Sequence, residues 1–208
     1  MNDKQLALEA VRLPRGTLGT LTLQFAPGVH LLTGPNGIGK TSLLNAIAGS
    51  LPLVSGAIRF GGAPLDHAAA RVVLAPNAPP DIPWIRSGLL LDFIGSLYPA
   101  TRRDAATAST IVEELGVTPF LDAPLGTLSA GTARKLLLAA ALIAAPPVML
   151  FDEPTNDIDA ASSACFIRRV GEAARHSVVL ITTHHTSDLD ALAPRVLPLH
   201  VPAGTSPA

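Results

Sequence analysis

Short apolar runs recur along this chain, and the spacing inside them changes from stretch to stretch. Near the start, Leu6 to Arg12, Leu21 to Phe25 and Ala57 to Phe60 read as strands, punctuated by the turns Ala26-Pro27-Gly28 and Gly61-Gly62. Val29 to Thr33 and Val148 to Phe151 are apolar runs of the kind that form strands buried on both faces. Arg71 to Ala75 reads as another strand, and so does the β-branched run Val178 to Ile181. Ser42 to Ala48 carries helical spacing. From about Ala78 to Ala145 the pattern is helical, with Leu89, Leu90, Phe93 and Leu97 spaced for one face and Ile111, Val112 and Leu115 for another. The most apolar run, Leu136 to Phe151, is cut by Pro146-Pro147 and reads as a helix followed by a buried strand. No uninterrupted stretch is long enough to cross a bilayer. Arg195 to Val201 reads as a last strand, confined to an edge by Pro198, and residues 202–208 are expected to be disordered. These elements predict one α/β unit over 1–208. Its core comes from 1–77, with a β-region, and 146–208; a helical insertion over 78–145 interrupts it.

The chemistry is densest at Gly34-Pro35-Asn36-Gly37-Ile38-Gly39-Lys40-Thr41, which fills every fixed position of the pattern G-x-x-x-x-G-K-[ST]. A strand precedes it and a helix beginning near Ser42 follows, the context this phosphate-binding loop requires. Glycines let the backbone curl so that successive N–H groups face phosphate oxygens, and the helix N-terminus adds partial positive charge. Lys40 supplies a point charge, and the Thr41 hydroxyl is placed to ligate Mg²⁺. The segment predicts a nucleoside triphosphate site.

Far down the chain, the run Val148 to Phe151 ends in Asp152-Glu153. A central parallel strand would deliver both carboxylates to the carboxyl edge of the sheet. Four apolar residues before two acids also describe any buried strand meeting a solvated turn. Paired with a phosphate loop, they predict hydrolysis: Asp152 holds Mg²⁺ through water, and Glu153 orients and deprotonates the attacking water.

Between these sites lies Leu128-Ser129-Ala130-Gly131-Thr132, followed by Ala133-Arg134-Lys135 and a long helical run. Ser129 is a good N-cap, and free N–H groups behind a cap make an anion site. With this segment the chain resembles the ATP-binding cassette subunit of an ABC transporter. The family's signature is Leu-Ser-Gly-Gly-Gln; Ala130 stands for its first glycine and Thr132 for its glutamine. The resemblance continues through Pro154-Thr155-Asn156-Asp157-Ile158-Asp159, with Asp159 at the place of the D-loop aspartate, and through Thr182-Thr183-His184, with His184 as the switch histidine. It implies a P-loop NTPase cassette with a RecA-like core, a small antiparallel β-region and a helical subdomain. It also implies ATP and Mg²⁺ as cofactors, and a signature that binds the γ-phosphate held by another subunit. The partners implied are a second cassette, as homodimer or heterodimer, and an integral membrane permease. The place implied is the cytoplasmic face of a membrane. Compact exporter cassettes are the most similar type, among them the haem-exporter ATPases of cytochrome c maturation, which are as short and carry Leu-Ser-Ala-Gly.

Departures from the family pattern bear on strength of catalysis. Asn77 falls in the place of the Q-loop glutamine and is one methylene shorter, so a contact to Mg²⁺ or water needs a closer backbone or a bridging water. No aromatic residue precedes Phe25, where the family stacks adenine; Arg12 or Arg15 offers a guanidinium plane instead, or both simply solvate an edge strand. Trp84 sits where the family's cassettes meet the permease and is open to two readings, an interface anchor or a core residue of the helical lobe. These departures leave a second class of function in view, an ATP-binding regulatory or interaction module with weak hydrolysis.

Composition narrows the partners. A net charge of −1 gives no electrostatic case for nucleic acid. Only 15% of residues are charged, and mean hydropathy is +0.40, which suits apolar surface reserved for a membrane subunit. Cys165 is alone, so no internal disulfide forms, which suits a reducing cytosol, and the polar start of the chain lacks the apolar region of a signal peptide. His30, His67, His176 and His200 lack metal-ligand spacing, and His185 reads as an ordinary residue. One phosphate loop argues against fused two-cassette translation factors, and the lack of long heptads against chromosome-maintenance ATPases.

Overall fold

The computed structural model describes residues 4–66, 70–184 and 186–200. The readings made for His67, His185, Val201 and the tail 202–208 lie outside these residues. Two sheets organise the rest. An antiparallel sheet in the order β2-β1-β4-β5 is made of β1 (Leu6–Arg12), β2 (Leu21–Phe25), β4 (Ser55–Phe60) and the short β5 (Ala63–Pro64). A parallel sheet in the order β6-β7-β8-β3-β9 is made of β3 (Gly28–Thr33), β6 (Val72–Ala75), β7 (Val148–Asp152), β8 (Val178–Thr182) and β9 (Arg195–Pro198). β9 is an edge strand beside β3, as Pro198 requires.

β7 and β8 lie inside the parallel sheet, and every residue of both is buried. Alternate side chains point to opposite faces, so each strand feeds two cores. Val148, Leu150, Val178, Leu180 and Leu32 pack toward the antiparallel sheet and α1 (Lys40–Ile47), through Leu43, Leu44 and Ile47. Met149, Phe151, Val179, Ile181 and Leu31 pack toward the helices on the other side. The Phe151 ring meets Phe166 edge-on at 5.0 Å, an aromatic contact that adds about 0.5–1.5 kcal/mol to its burial.

Three helices come between β6 and β7: α2 (Ser87–Ser96), α3 (Ala105–Glu114) and α4 (Ala130–Ala144). α4 is the buried one, its side chains from Leu136 to Ala144 all enclosed. α3 starts at Asp104, whose carboxylate accepts from Thr107 N at 2.9 Å. α5 (Ala160–Ala173) buries Cys165, Phe166, Val170 and Ala173 on one stripe and is held to α3 by Glu114, which pairs with both Arg168 and Arg169 at 2.7 and 2.8 Å. Tyr98, just past α2, donates to the Val72 carbonyl at 2.6 Å and ties the helices to β6.

α2 splits the residues that share its apolar pattern. Leu90 and Leu91 are buried, whereas Leu89, Phe93 and Leu97 are 52%, 57% and 50% exposed, and Trp84 just ahead of the helix is 73% exposed. The core reading of Trp84 is thereby excluded. The reason is geometric: a helix on the outside of a lobe has one face on α4, and an apolar stripe wider than that face must reach solvent.

Candidate active site

Because the five strands run parallel, their carboxyl ends share one edge, and the register puts Asp152 directly beside Thr182. β3 ends at Thr33, so the phosphate loop Gly34–Lys40 leaves from that same edge. Ile38, buried in the core under the loop, anchors it, and Gly39 turns it into α1 with φ at +120°, a conformation side chains rarely adopt. Lys40 Nζ donates to the carbonyls of Gly34 at 2.7 Å and Pro35 at 3.3 Å, which stretches the ammonium across the mouth of the loop.

Thr41 and Asp152, far apart in sequence, meet here. The Thr41 hydroxyl lies 3.0 Å from one Asp152 carboxylate oxygen and 3.2 Å from the other. The more distant of these oxygens, Oδ1, also accepts from the Thr182 hydroxyl at 2.6 Å. Glu153 has φ at +51°, and its N–H donates to both the carbonyl and the hydroxyl of Thr182. That turn swings its carboxylate toward His184: the His184 backbone N–H donates to Oε2 at 3.2 Å, and its Nε2 lies 3.1 Å from Oε1. A cleft of about 410 Å³ opens over the loop, lined by Asn36, Gly37, Lys40, Thr41 and Ser42, with Asn77, Glu153 and His184 opposite. Asn77 thus stands at the cleft wall.

Arg15 lines that cleft too, whereas Arg12 does not. The segment bearing Arg15 is fastened to the phosphate loop by Thr17 N–H donating to the Ile38 carbonyl at 3.1 Å. Of the two arginines left open by sequence, Arg15 is the one at the cleft.

The signature segment lies elsewhere on the chain. Ser129 caps α4, its Oγ accepting from Thr132 N at 3.2 Å and lying 2.8 Å from the Thr132 hydroxyl, so the residue in the glutamine's place closes the cap. Leu128, Ser129, Ala130, Gly131 and Thr132 do not line the cleft, and Ser129 and Ala130 are exposed. Gly131 is needed for a close approach, since a β-carbon there would run into the Asp157 carbonyl oxygen. Asp159 caps α5 through Ser162 N–H at 2.8 Å and pairs with Lys135 at 3.0 Å. These bonds, the one from Ser162 first, hold its carboxyl well below the usual carboxylate range.

Two residues at this edge carry roles that sequence reading did not assign. Thr182 is the polar end of an otherwise apolar strand, the one local hint that it meets something charged. Arg134 left no hint, because a cation in a helix ordinarily faces water. Here it is buried and its guanidinium donates to the Glu153 carbonyl at 2.7 Å. His30 is structural: its Nε2 lies 2.8 Å from the Ala26 carbonyl, its ring meets Phe25 edge-on, and burial pushes its pKa down.

Comparison with known proteins bears on the family and the fold. Residues 18–156 match the family model described as ABC transporter. The zinc transport system ATP-binding protein TroB of Treponema pallidum is 31% identical over 202 residues, covering 92% of this chain and 71% of TroB. The cytochrome c biogenesis ATP-binding export protein CcmA of Pseudomonas syringae is 32% identical over 186 residues, covering 86% of each chain. A solved ATP-binding subunit of an ABC transporter shares the fold, with a TM-score of 0.82 over 94% of this chain and 85% of that one at 20% identity. Phosphate loop, acidic strand end and fold therefore converge, and the chain belongs to the ABC transporter family as an ATP-binding subunit, an ATPase that powers a separate membrane permease.

Proposed function

We propose that two cassettes, two copies of this chain or this chain with a similar one, close around two MgATP molecules at the cytoplasmic face of a membrane. Each nucleotide lies between residues 34–42 of one cassette and the Ser129-capped end of α4 of the other. The observation that supports this is the separation within one chain: Lys40, Thr41, Asp152, Glu153 and His184 share one edge, while the exposed α4 N-terminus does not line their cleft. An anion site at a helix start is incomplete alone and suits a γ-phosphate presented by a second subunit.

Within such a site Thr41, by its hydroxyl, and Asp152, through water, would hold Mg²⁺ with hard oxygen ligands. The ion would neutralise charge on the β- and γ-phosphates. Lys40 turns from the Gly34 and Pro35 carbonyls to the phosphates. Glu153 accepts the proton of the attacking water, and His184, bonded to its carboxylate, links this base to the γ-phosphate. Arg15 offers a plane for the base; Arg15→Ala should weaken MgATP and MgGTP equally, by about tenfold, if it stacks.

The permease fits the exposed stripe of Trp84, Leu89, Phe93 and Leu97, a contiguous apolar face on the lobe that carries the signature. The compact exporter type is favoured by the even coverage with CcmA, 86% of each chain.

The experiment is light scattering after size exclusion with MgATP. Glu153→Gln keeps the shape of the carboxylate but accepts no proton, so it should accumulate as a dimer, and Lys40→Ala should stay monomeric. A Glu153→Gln protein that remains monomeric at high concentration counts against the sandwich. Ser129→Arg and Lys40→Ala, each inactive, should recover hydrolysis when mixed, because one heterodimer site then joins an intact Lys40 to an intact Ser129.

A further inference from the structure

Among the buried residues of α4, Arg134 is the one that carries a charge; its companions are alanine, leucine and isoleucine. It is 8% exposed. One guanidinium nitrogen, Nη1, donates to the Glu153 carbonyl at 2.7 Å and stands 3.5 Å from that of Asp152. The other, Nη2, donates to the Asn77 carbonyl. Nε has no partner. A buried cation with one donor unsatisfied is a poor choice for stability alone, because an apolar side chain of the same volume avoids the desolvation cost.

Glu153 is also a residue that needs holding, one of several non-glycine residues with positive φ and the one at the cleft. Its φ of +51° is unfavourable for any residue but glycine, and such strain persists only where the surroundings over-determine it. Its N–H is bonded to Thr182 on one side; its carbonyl accepts from Asn156 N–H at 3.3 Å and from Arg134 on the other. Arg134 is therefore the clamp on this backbone that comes from the helical lobe, where Thr182 holds it from the neighbouring strand. It is not a lining residue of the cleft, so it acts through Glu153 and Asn77.

We propose that Arg134 is a positioning residue for hydrolysis. From the helix that carries the signature segment it fixes the backbone of Glu153 and of Asn77 together, so a shift of the helical lobe moves the base and the Asn77 wall of the cleft with it. The inference rests on the reading of Glu153 as the base. Burial pulls the Arg134 pKa down while the carboxylates of Asp157, Asp152 and Glu153 push it up, so the cation sits in the negative field of this edge. Two carbonyls on separate segments need the planar fork of a guanidinium; a lysine ammonium, a single point of charge, reaches only one of them.

The test uses the full chain with Arg134→Lys, Arg134→Met and Glu153→Gln side by side. Melting temperature, the Kd for MgATP, and kcat and KM for hydrolysis are measured for each. The expected result is a folded Arg134→Lys protein with Kd and KM within threefold of the parent and kcat lowered at least fivefold. Arg134→Met, if folded, should lose more. A smaller fall in kcat, a rise in KM or Kd that matches the loss, or failure of both arginine variants to fold would each overturn the proposal and leave Arg134 a residue of the core. If Glu153→Gln hydrolyses at the parental rate, the reading of the base fails and the inference falls with it. A silent Glu153→Gln beside a normal Arg134→Lys overturns the inference alone.

Discussion

The strand Val148–Asp152 and the helix Ser87–Ser96 are both apolar, yet they end in opposite surroundings. Every residue of the strand is buried, and its two faces feed the two cores. The helix buries Leu90 and Leu91 and leaves Leu89 and Phe93 out, with Leu97 and Trp84 beside them. A strand inside a parallel sheet is covered on both faces by its own chain. A helix on the rim of a lobe has an outer face that its own chain does not cover, and apolar residues retained there suit another protein.

The largest effect should come from the strand. Phe151→Ala removes a fully buried ring and its contact with Phe166, costing about 3–5 kcal/mol. In a chain of this size that lowers Tm by roughly 6 °C or more, measured by thermal unfolding. An unchanged Tm would erase the distinction between strand and helix.

At the strand's polar end, Thr182→Val deletes the 2.6 Å hydrogen bond to Asp152 and the one accepted from the Glu153 N–H, and keeps the shape. Leaving the buried carboxylate one donor short should cost about 1–3 kcal/mol. Hydrolysis should fall more than Tm does, because Asp152 then has Thr41 alone to orient it. Parallel assays of stability and turnover check this.

Smaller again is a pH effect confined to the buried sheet. His30 has its pKa lowered by burial, so above the ordinary histidine value of about 6.5 the imidazole is neutral in both folded and unfolded chains. As pH falls below that value, the unfolded chain takes up the proton first and stability drops, at most by about 1.4 kcal/mol per pH unit, until the folded pKa is reached. Denaturant unfolding at pH 7.5, 6.5 and 5.5 (about one unit apart) should show a steeper decline for the parent than for His30→Phe. Equal slopes would mean that His30 is solvated.

The smallest effect on stability belongs to the helix. Phe93→Ser should change folding by no more than about 0.5 kcal/mol, as surface substitutions do. Recovery of the permease with the cassette, by co-purification from membranes, should be lost. Loss of stability comparable to Phe151→Ala would place the ring in a core after all.

Much of this molecule was legible because its decisive patterns are local. The phosphate loop needs consecutive residues and neighbouring elements of fixed type, so Gly34 to Ser42 could be read without knowing what lies beside them. Ser129 as a cap and Asp152-Glu153 as a strand end are equally local. α5 is less legible in the sequence, although Asp159 opens it and Phe166, Val170 and Ala173 carry its period, because its first turns are alanine and serine and give no apolar stripe. Arg134 is not legible there at all, because nothing nearby in sequence distinguishes it from a solvated helix residue.

Backbone preference and hydrophobic period act over a few residues, so the chain by itself determined its elements, its phosphate loop and the family to which it belongs. Only the tertiary structure chose Arg15 over Arg12, turned Trp84 outward, put Thr182 on Asp152 and buried Arg134 against Glu153 and Asn77. Each of those outcomes depends on which distant segments meet at the carboxyl edge of the sheet and on which surfaces they leave uncovered, and strand order and lobe packing set both.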